Sequence, residues 1–96
     1  MDHNYFVYLL TDKNRSTLYI GVTNDLRTRL WQHRNPEQVS FTQRYHCIVL
    51  VHYEIFGEVL DAIAREKQLK GWTRAKKNAL VEARNPRRED LSVDRF

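Results

Sequence analysis

Two short apolar runs open the chain, and polar residues separate them. Residues 5–10 and 17–22 are rich in β-branched and aromatic side chains, whereas residues 11–16 are the polar types that favour turns. This pattern predicts an antiparallel hairpin with a long loop. A third run of the same character, residues 47–55, predicts a third strand.

A helix is predicted directly after the hairpin. Thr23 or Asn24 is suited to cap its N-terminus, because a side-chain oxygen there accepts a hydrogen bond from an unpaired backbone N–H group. Leu26 and Leu30 are one turn apart and predict the inward face, and Pro36 ends the helix by about residue 35. The polar residues 37–44 that follow predict a loop.

A second helix is predicted at residues 58–70. Leu60, Ile63 and Ala64 recur there at helical spacing and predict an inward stripe. Gly71 directly follows the last helical position, where glycine is common.

A third helix is predicted between a Thr73 cap and Pro86, which terminates it. Three strands, with helices after the second and the third, predict a small α+β domain: a three-stranded, mainly antiparallel sheet flanked by about three helices. The hairpin-first order argues against a parallel, doubly wound sheet. One domain is expected over residues 1–96, with its core at about 5–91. From Asn85 onward the polar tail is expected to have little to pack except Leu91, Val93 and Phe96.

Composition limits the class of protein. A 96-residue chain with 42% hydrophobic residues has room for one small core. Cys47 is the one cysteine, so the chain forms no internal disulfide and no cysteine-built zinc site. No apolar run approaches the roughly 20 residues that cross a bilayer, and no basic and apolar leader opens the chain. We therefore expect a soluble, cytoplasmic protein.

Positive charge is concentrated in two places, in the first helix and at residues 65–77, whereas acids gather in the tail. The net charge is +4 and the pI about 9.5. A one-sided positive field suits a polyanion, although solvated helix faces are the plain alternative. The residues predicted to contact nucleic acid are Arg27, Lys70, Arg74, Lys76 and Lys77. Three of these lie in the first turn of the third helix, where the helix dipole disfavours cations.

Phenol, guanidinium and imidazole groups are candidates for a phosphodiester site. Tyr8 and Tyr19 lie on the two hairpin strands, and Arg29 and His33 are neighbours on one helix face. A guanidinium matches phosphate oxygens through its planar fork. The plain alternatives are cross-strand packing for the tyrosines, a surface charge for Arg29, and a favourable helix-end position for His33.

Glu66 is the candidate metal ligand. Its helical register sets it beside an apolar stripe, and a carboxylate at the edge of a core needs a cation or a metal as partner. Magnesium is commonly held by one or two carboxylates together with substrate phosphates. One such glutamate predicts a single-metal site.

Taken in order, these motifs resemble the GIY-YIG nuclease family, specifically its small single-domain bacterial members. Residues 6–8 read Phe-Val-Tyr in place of Gly-Ile-Tyr and keep only the tyrosine, whereas residues 19–21 match Tyr-Ile-Gly. Residues 21–33 resemble the family helix that carries an arginine and a histidine. Residues 64–77 resemble the segment that carries the metal-binding glutamate.

The resemblance implies a metal-dependent DNA endonuclease. Tyr8 or Tyr19 would act as general base on the attacking water, and Arg29 would neutralise charge on the phosphoryl group. His33 would orient the water or assist the tyrosine, and Glu66 would hold one Mg²⁺ or Mn²⁺. A phenol with a pKa of about 10 is a poor base at neutral pH, so Arg29 and the metal are expected to lower that pKa.

Two points stay open at this level. Larger family members have an asparagine after the glutamate, for which Asn78 is the nearer candidate and Asn85 the weaker. The main alternative function is a nucleic-acid-binding module on the same scaffold with weak or no catalysis. A protein–protein adaptor is disfavoured, because it has no use for the set of site residues. The DNA partner could be branched or single-stranded.

Overall fold

Three antiparallel strands and three helices build the described part of the fold. The computed structural model describes residues 4–35 and 47–93. The elements, in chain order, are β1 (Tyr5–Thr11), β2 (Leu18–Thr23), α1 (Leu26–Arg34), β3 (Val49–Phe56), α2 (Val59–Lys70) and α3 (Arg74–Arg84). The strand order is β2-β1-β3 with both pairs antiparallel, which confirms the predicted α+β class and the hairpin. The predicted loop at 37–44 lies outside the described residues.

The central strand β1 is buried on both of its faces because strands flank it and helices cover both sides of the sheet. Tyr8 and Leu10 pack with Leu26 and Leu30 of α1. Val7 and Leu9, which alternate with them, pack in the second cluster, to which the helices contribute Ala62, Leu69 and Val81. The sheet therefore has an α1 face and an α2/α3 face.

The cap of α1 differs from the prediction. Asp25, not Thr23 or Asn24, is the N-cap: its Oδ1 accepts from the Thr28 N–H at 3.1 Å, and its Oδ2 from the Thr28 hydroxyl at 2.8 Å. A carboxylate suits this position because the helix dipole favours negative charge there. The Thr23 hydroxyl instead accepts from the Asp25 N–H at 3.1 Å.

The inward face of α2 also differs from the prediction. Leu60 is 76% exposed and Ala64 is exposed, whereas Ala62 and Leu69 are fully buried. The orientation of α2 about its axis is consistent with a long-range ion pair, in which Arg65 donates to both carboxylate oxygens of Glu54 on β3 at 2.8 and 3.1 Å. The spacing of apolar residues along a helix does not indicate such a partner on a strand.

The segment after α3 is packed, and the expectation of a tail with little to pack is wrong for its described residues. Asn85 caps α3 and is buried, and its side-chain amide donates to the carbonyl of Val51 at 3.1 Å and to that of Glu89 at 2.9 Å. The Leu91 N–H donates to the carbonyl of Leu50 at 2.8 Å. The segment thus closes part of the β3 edge.

Arg34 fastens this segment to the end of α1. Its guanidinium donates to the Ile48 carbonyl at 2.9 and 3.0 Å, to Asp90 at 3.1 Å and to the Ser92 hydroxyl at 2.9 Å. We call this set the Arg34 clasp. None of the described helices is long and apolar enough to cross a membrane.

Candidate functional site

The strand register puts both tyrosines on the same face of the sheet. Tyr8 stands opposite Gly21, and Leu10 stands opposite Tyr19. Because side chains two residues apart share a face, Tyr8, Tyr19 and Gly21 all belong to the α1 face. Sequence alone leaves this point open.

Gly21 makes room for the ring of Tyr8. A Cβ atom at position 21 would lie 2.5 Å from the Tyr8 hydroxyl oxygen and 2.6 Å from its Cζ. These separations are far below van der Waals contact, so the ring crosses β2 directly above the glycine. Any side chain at this position would displace the phenol.

Helix α1 brings His33 onto the two phenol rings. The Tyr8 hydroxyl lies 3.2 Å from His33 Nε2, which is hydrogen-bonding distance. The His33 ring centroid is 4.7 Å from that of Tyr19 and 5.9 Å from that of Tyr8. We call Tyr8, Tyr19 and His33 the tyrosine–histidine cluster.

The cluster is open to solvent at one member only. Tyr8 is fully buried and His33 is 2% exposed, whereas Tyr19 is 37% exposed. A ligand that approaches from solvent would therefore meet Tyr19 first. The hydrogen-bonded pair of Tyr8 and His33 lies behind it.

Burial sets the protonation of the pair. Burial raises the pKa of Tyr8 above its ordinary value and the neighbouring Tyr19 raises it further, whereas Arg29 lowers it by less. Burial also lowers the pKa of His33 to about 4, and the positive charge of Arg29 acts in the same direction. At neutral pH the pair is therefore a phenol and an uncharged imidazole.

The expectation of a lowered phenol pKa is thus wrong for Tyr8 in the chain by itself. Arg29 acts in the expected direction, but desolvation of the buried hydroxyl outweighs it. Arg29 is half-buried on α1, one turn before His33, and its charge acts on both members of the pair. The structure therefore brings together Tyr8, Tyr19, Arg29 and His33.

Glu66 lies on α2. It is on the inward side of the helix, between the buried Ala62 and Leu69, and its side chain is 17% exposed. Its carboxylate pairs with the Lys70 ammonium at 3.2 Å. Within residues 4–35 and 47–93, no group of three or more His, Cys, Asp or Glu could hold a metal ion.

Three of the predicted nucleic-acid contacts have partners within the chain: Lys70, which pairs with Glu66, and Arg74 and Lys76. Arg74 donates to the carbonyls of Ser16 and Arg15 at 3.2 and 3.3 Å, and its Nε donates to the Asn78 amide oxygen at 3.3 Å. Asn78 thus holds Arg74. The Lys76 ammonium lies 4.7 Å from the centroid of a Trp72 ring.

The predicted contacts also differ in exposure. Arg27 is exposed on α1, Lys70 is 55% exposed beside Glu66, and Lys77 is half-buried. Trp72 is half-buried and packs against the core of the α2/α3 face, and the Arg65 guanidinium lies 5.1 Å from the centroid of its ring. Basic side chains therefore lie on both sides of the sheet.

An open groove of about 910 Å³ runs beside β3, away from the tyrosine–histidine cluster. Its polar wall includes His52, Glu54 and Arg65, a set that local sequence patterns do not identify. Burial raises the pKa of the Glu54 carboxyl, but hydrogen bonds from Arg65 and His52 outweigh this and keep the pKa below its ordinary value. The three groups satisfy one another, which is the pattern of a structural network.

Known proteins resemble this chain over most of its length. The family model described as GIY-YIG catalytic domain matches residues 4–78. A UPF0213 protein of Bacillus pumilus is 35% identical over 80 residues, which cover 83% of this chain and 81% of that protein. A UPF0213 protein of Haloquadratum walsbyi is 34% identical over 82 residues, 85% of this chain and 91% of that protein. The solution NMR structure of a UPF0213 protein of Bacillus halodurans aligns with a TM-score of 0.59 at 27% identity and covers 93% of this chain and 94% of that chain.

Proposed function

Because this chain belongs to the GIY-YIG family, we propose that it is a metal-dependent endonuclease that hydrolyses phosphodiester bonds in DNA. The observation that carries the proposal is the convergence of Tyr8, Tyr19 and His33 beside Arg29. Two phenols, an uncharged imidazole and a guanidinium can together move a proton and balance phosphoryl charge.

In the proposed reaction, Tyr8 or Tyr19 takes the proton of the attacking water. The hydrogen bond between Tyr8 and His33 offers a route that forms no free phenolate. Tyr19, the exposed phenol, would accept the water proton while its own proton passes to the buried Tyr8 hydroxyl and the proton of Tyr8 passes to His33 Nε2, at 3.2 Å. The pKa of about 4 makes His33 a weak proton acceptor, which would give the proton up again once the bond is cut.

Arg29 is proposed to bind the phosphoryl oxygens. Negative charge on these oxygens is held best by a fixed donor fork that needs no rearrangement during the reaction. Its half-buried position on α1 restricts the guanidinium. A restricted donor stabilises the phosphoryl charge more strongly than a freely solvated one.

Glu66 is proposed as the residue that holds the metal. A single partly buried carboxylate fits one hard divalent cation whose other ligands are water and phosphate oxygens. When bound, Mg²⁺ or Mn²⁺ would supply Lewis-acid polarisation of a phosphoryl oxygen. In the protein alone Lys70 pairs with one of the two carboxylate oxygens, so its ammonium would compete with a divalent cation for this group.

We expect Glu66→Gln to abolish cleavage and divalent-metal binding, because it removes the charge and keeps the volume. Lys70→Met should tighten Mn²⁺ binding, because it removes the cation that competes for the carboxylate. The Mn²⁺ affinity of both variants is measured by titration of Mn²⁺ into protein free of DNA, followed by electron paramagnetic resonance. Cleavage by Glu66→Gln is measured with DNA. Wild-type Mn²⁺ affinity in Glu66→Gln would exclude Glu66 as the ligand.

The basic side chains of α3 are proposed to follow the nucleic-acid backbone. Lys76→Ala together with Lys77→Ala should weaken DNA binding and reduce the slope of log K against log salt by about 0.9 for each phosphate that the variant no longer binds. Fluorescence anisotropy over a salt series measures the slope. Thermal unfolding of the same variant checks that removal of the Lys76–Trp72 interaction has not unfolded it. An unchanged slope would remove these lysines from the binding surface.

One observation favours the second candidate, a nucleic-acid-binding module with little catalysis: burial raises the pKa of Tyr8, which makes this phenol a weaker acid and keeps it protonated. The deciding experiment incubates the protein with plasmid, single-stranded and branched DNA and with Mg²⁺ or Mn²⁺. If the wild type cleaves any of these forms and Arg29→Ala abolishes that cleavage, the enzyme proposal is supported. Binding without cleavage of any form supports the module.

A further inference from the structure

Three arginines meet where the loop between β1 and β2 touches α3. Arg74, at the start of α3, donates to the backbone carbonyls of Arg15 and Ser16 in the loop, at 3.3 and 3.2 Å. Arg15 in turn donates to the carbonyl of Arg88 at 3.4 Å. The local sequence pattern does not indicate this cluster, since its hydrogen bonds join residues 58 to 73 positions apart.

Among the described residues, no carboxylate neutralises the charge of Arg15 or of Arg74. In the described part of the chain, neither forms an ion pair with a carboxylate, and backbone carbonyls carry no net charge. Arg88 is different, because it pairs with Glu82 at 3.4 Å. The acid of the loop, Asp12, accepts hydrogen bonds from the N–H and hydroxyl of Ser16 at 2.8 and 2.6 Å. Arg15 and Arg74 therefore present two full positive charges at an exposed position.

The backbone of Arg15 supports a role for its side chain. Its φ is +57°, in the left-handed region that glycine and asparagine adopt most readily. Arg15 is exposed, so no packing against the core accounts for a bulky residue there. An unfavourable backbone conformation without a gain in packing is typical of functional positions.

The cluster lies within reach of a strand bound at the tyrosines. Arg15 precedes Tyr19 by four residues, which span at most about 14 Å of extended chain. Each strand of duplex DNA carries a phosphate about every 3.4 Å along the axis, so this span corresponds to about four nucleotides. Tyr19 is the second residue of β2, an edge strand of the sheet, and residues 15–17 lie in the loop that precedes it.

We propose that Arg15 and Arg74 form a second phosphate-binding site, which holds the nucleic-acid backbone a few nucleotides from the bond that is cut. The ligand is a phosphodiester group, whose oxygens match the guanidinium fork. This inference rests on the proposed function, because it takes the tyrosine–histidine cluster as the place of cleavage.

The test measures binding of a short labelled duplex and of the matching single strand over a salt series, with metal omitted. Arg15→Asn removes the charge and keeps a residue that tolerates left-handed backbone, so the fold is retained. We expect its salt slope to fall by about 0.9 on the duplex and about 0.7 on the single strand. Arg15→Lys should keep the slope and lose part of the affinity. Arg74→Gln should behave like Arg15→Asn.

Arg87→Gln is the matched control, since Arg87 is an exposed arginine outside the cluster. Its slope should fall less than those of Arg15→Asn and Arg74→Gln. If the wild type binds and cuts DNA and both cluster variants keep the wild-type slope, the second site is overturned and the proposed function stays intact. If the wild type binds DNA but never cuts it, and both cluster variants show reduced slopes, the second site is supported and the endonuclease is rejected. Absence of DNA binding by the wild type would reject both.

Discussion

Arg29→Ala is expected to slow DNA cleavage by about 10³–10⁵-fold, the range that an arginine stabilising phosphoryl charge is worth in related chemistry. The affinity for DNA should change little, because one phosphate contact among many contributes little to ground-state binding. Both effects follow if the guanidinium meets its full charge partner only in the transition state. Single-turnover rates and anisotropy titrations measure the two effects separately.

The same variant has a second readout that does not depend on cleavage. Arg29 contributes to the depressed pKa of His33, so its removal should raise that pKa towards the ordinary value. Titration of the imidazole by NMR shows the change. A pKa that stays at the wild-type value would mean that Arg29 does not act on the pair as described.

Arg27→Ala is the matched control for the rate. Arg27 is on the same helix but exposed, and it is proposed to act in binding alone. Its cleavage rate at saturating protein should equal that of the wild type. If the wild type cuts no form of DNA while Arg29→Ala sharply weakens binding, Arg29 is an ordinary backbone contact and the enzyme proposal fails.

Gly21→Ala is expected to abolish activity and to lower the free energy of unfolding by about 1–3 kcal/mol, as overpacked positions commonly do. The added Cβ would lie 2.5 Å from the Tyr8 hydroxyl, so the ring has to leave its place between β2 and His33. Unfolding in urea measures the loss of stability, and cleavage assays measure the loss of activity.

Two further variants identify the cause. Gly57→Ala adds the same methyl group where nothing lies within 4 Å, and it should keep the activity and most of the stability. In a Tyr8→Ala background the ring is gone, so Gly21→Ala should cost much less than in the wild type. Additive losses in the double variant would show that the glycine and the tyrosine ring do not compete for space.

Local patterns predict those parts of the fold that depend on neighbours in sequence. The β-branched and aromatic runs that predicted β1 and β2, the Thr73 cap, and Leu26 and Leu30 of α1 all agree with the structure. The shared face of the two tyrosines is not predictable in this way, because a shift of one residue in register turns every side chain to the other face. The register that pairs Tyr8 with Gly21 settles it.

The cap of α1 is a local error, whereas the other errors concern contacts between distant parts of the chain. The orientation of α2 is consistent with the bond between Arg65 and Glu54 on β3, eleven positions earlier. The packed segment after α3 depends on Asn85, whose amide reaches a carbonyl 34 positions away. A buried polar group must find a partner, but the sequence does not say which one. The raised pKa of Tyr8 has the same origin, since burial depends on the whole fold.

The Arg34 clasp joins Arg34 to Asp90 and Ser92, which lie 56 and 58 positions later in the chain, so local opening involves two distant segments. When Asp90 and Ser92 detach, the end of α1 is released from both at once, so the two segments should exchange their amide hydrogens as one cooperative unit. His33 precedes Arg34 in that helix. Solvent access to the buried phenol therefore depends on a segment at the other end of the chain.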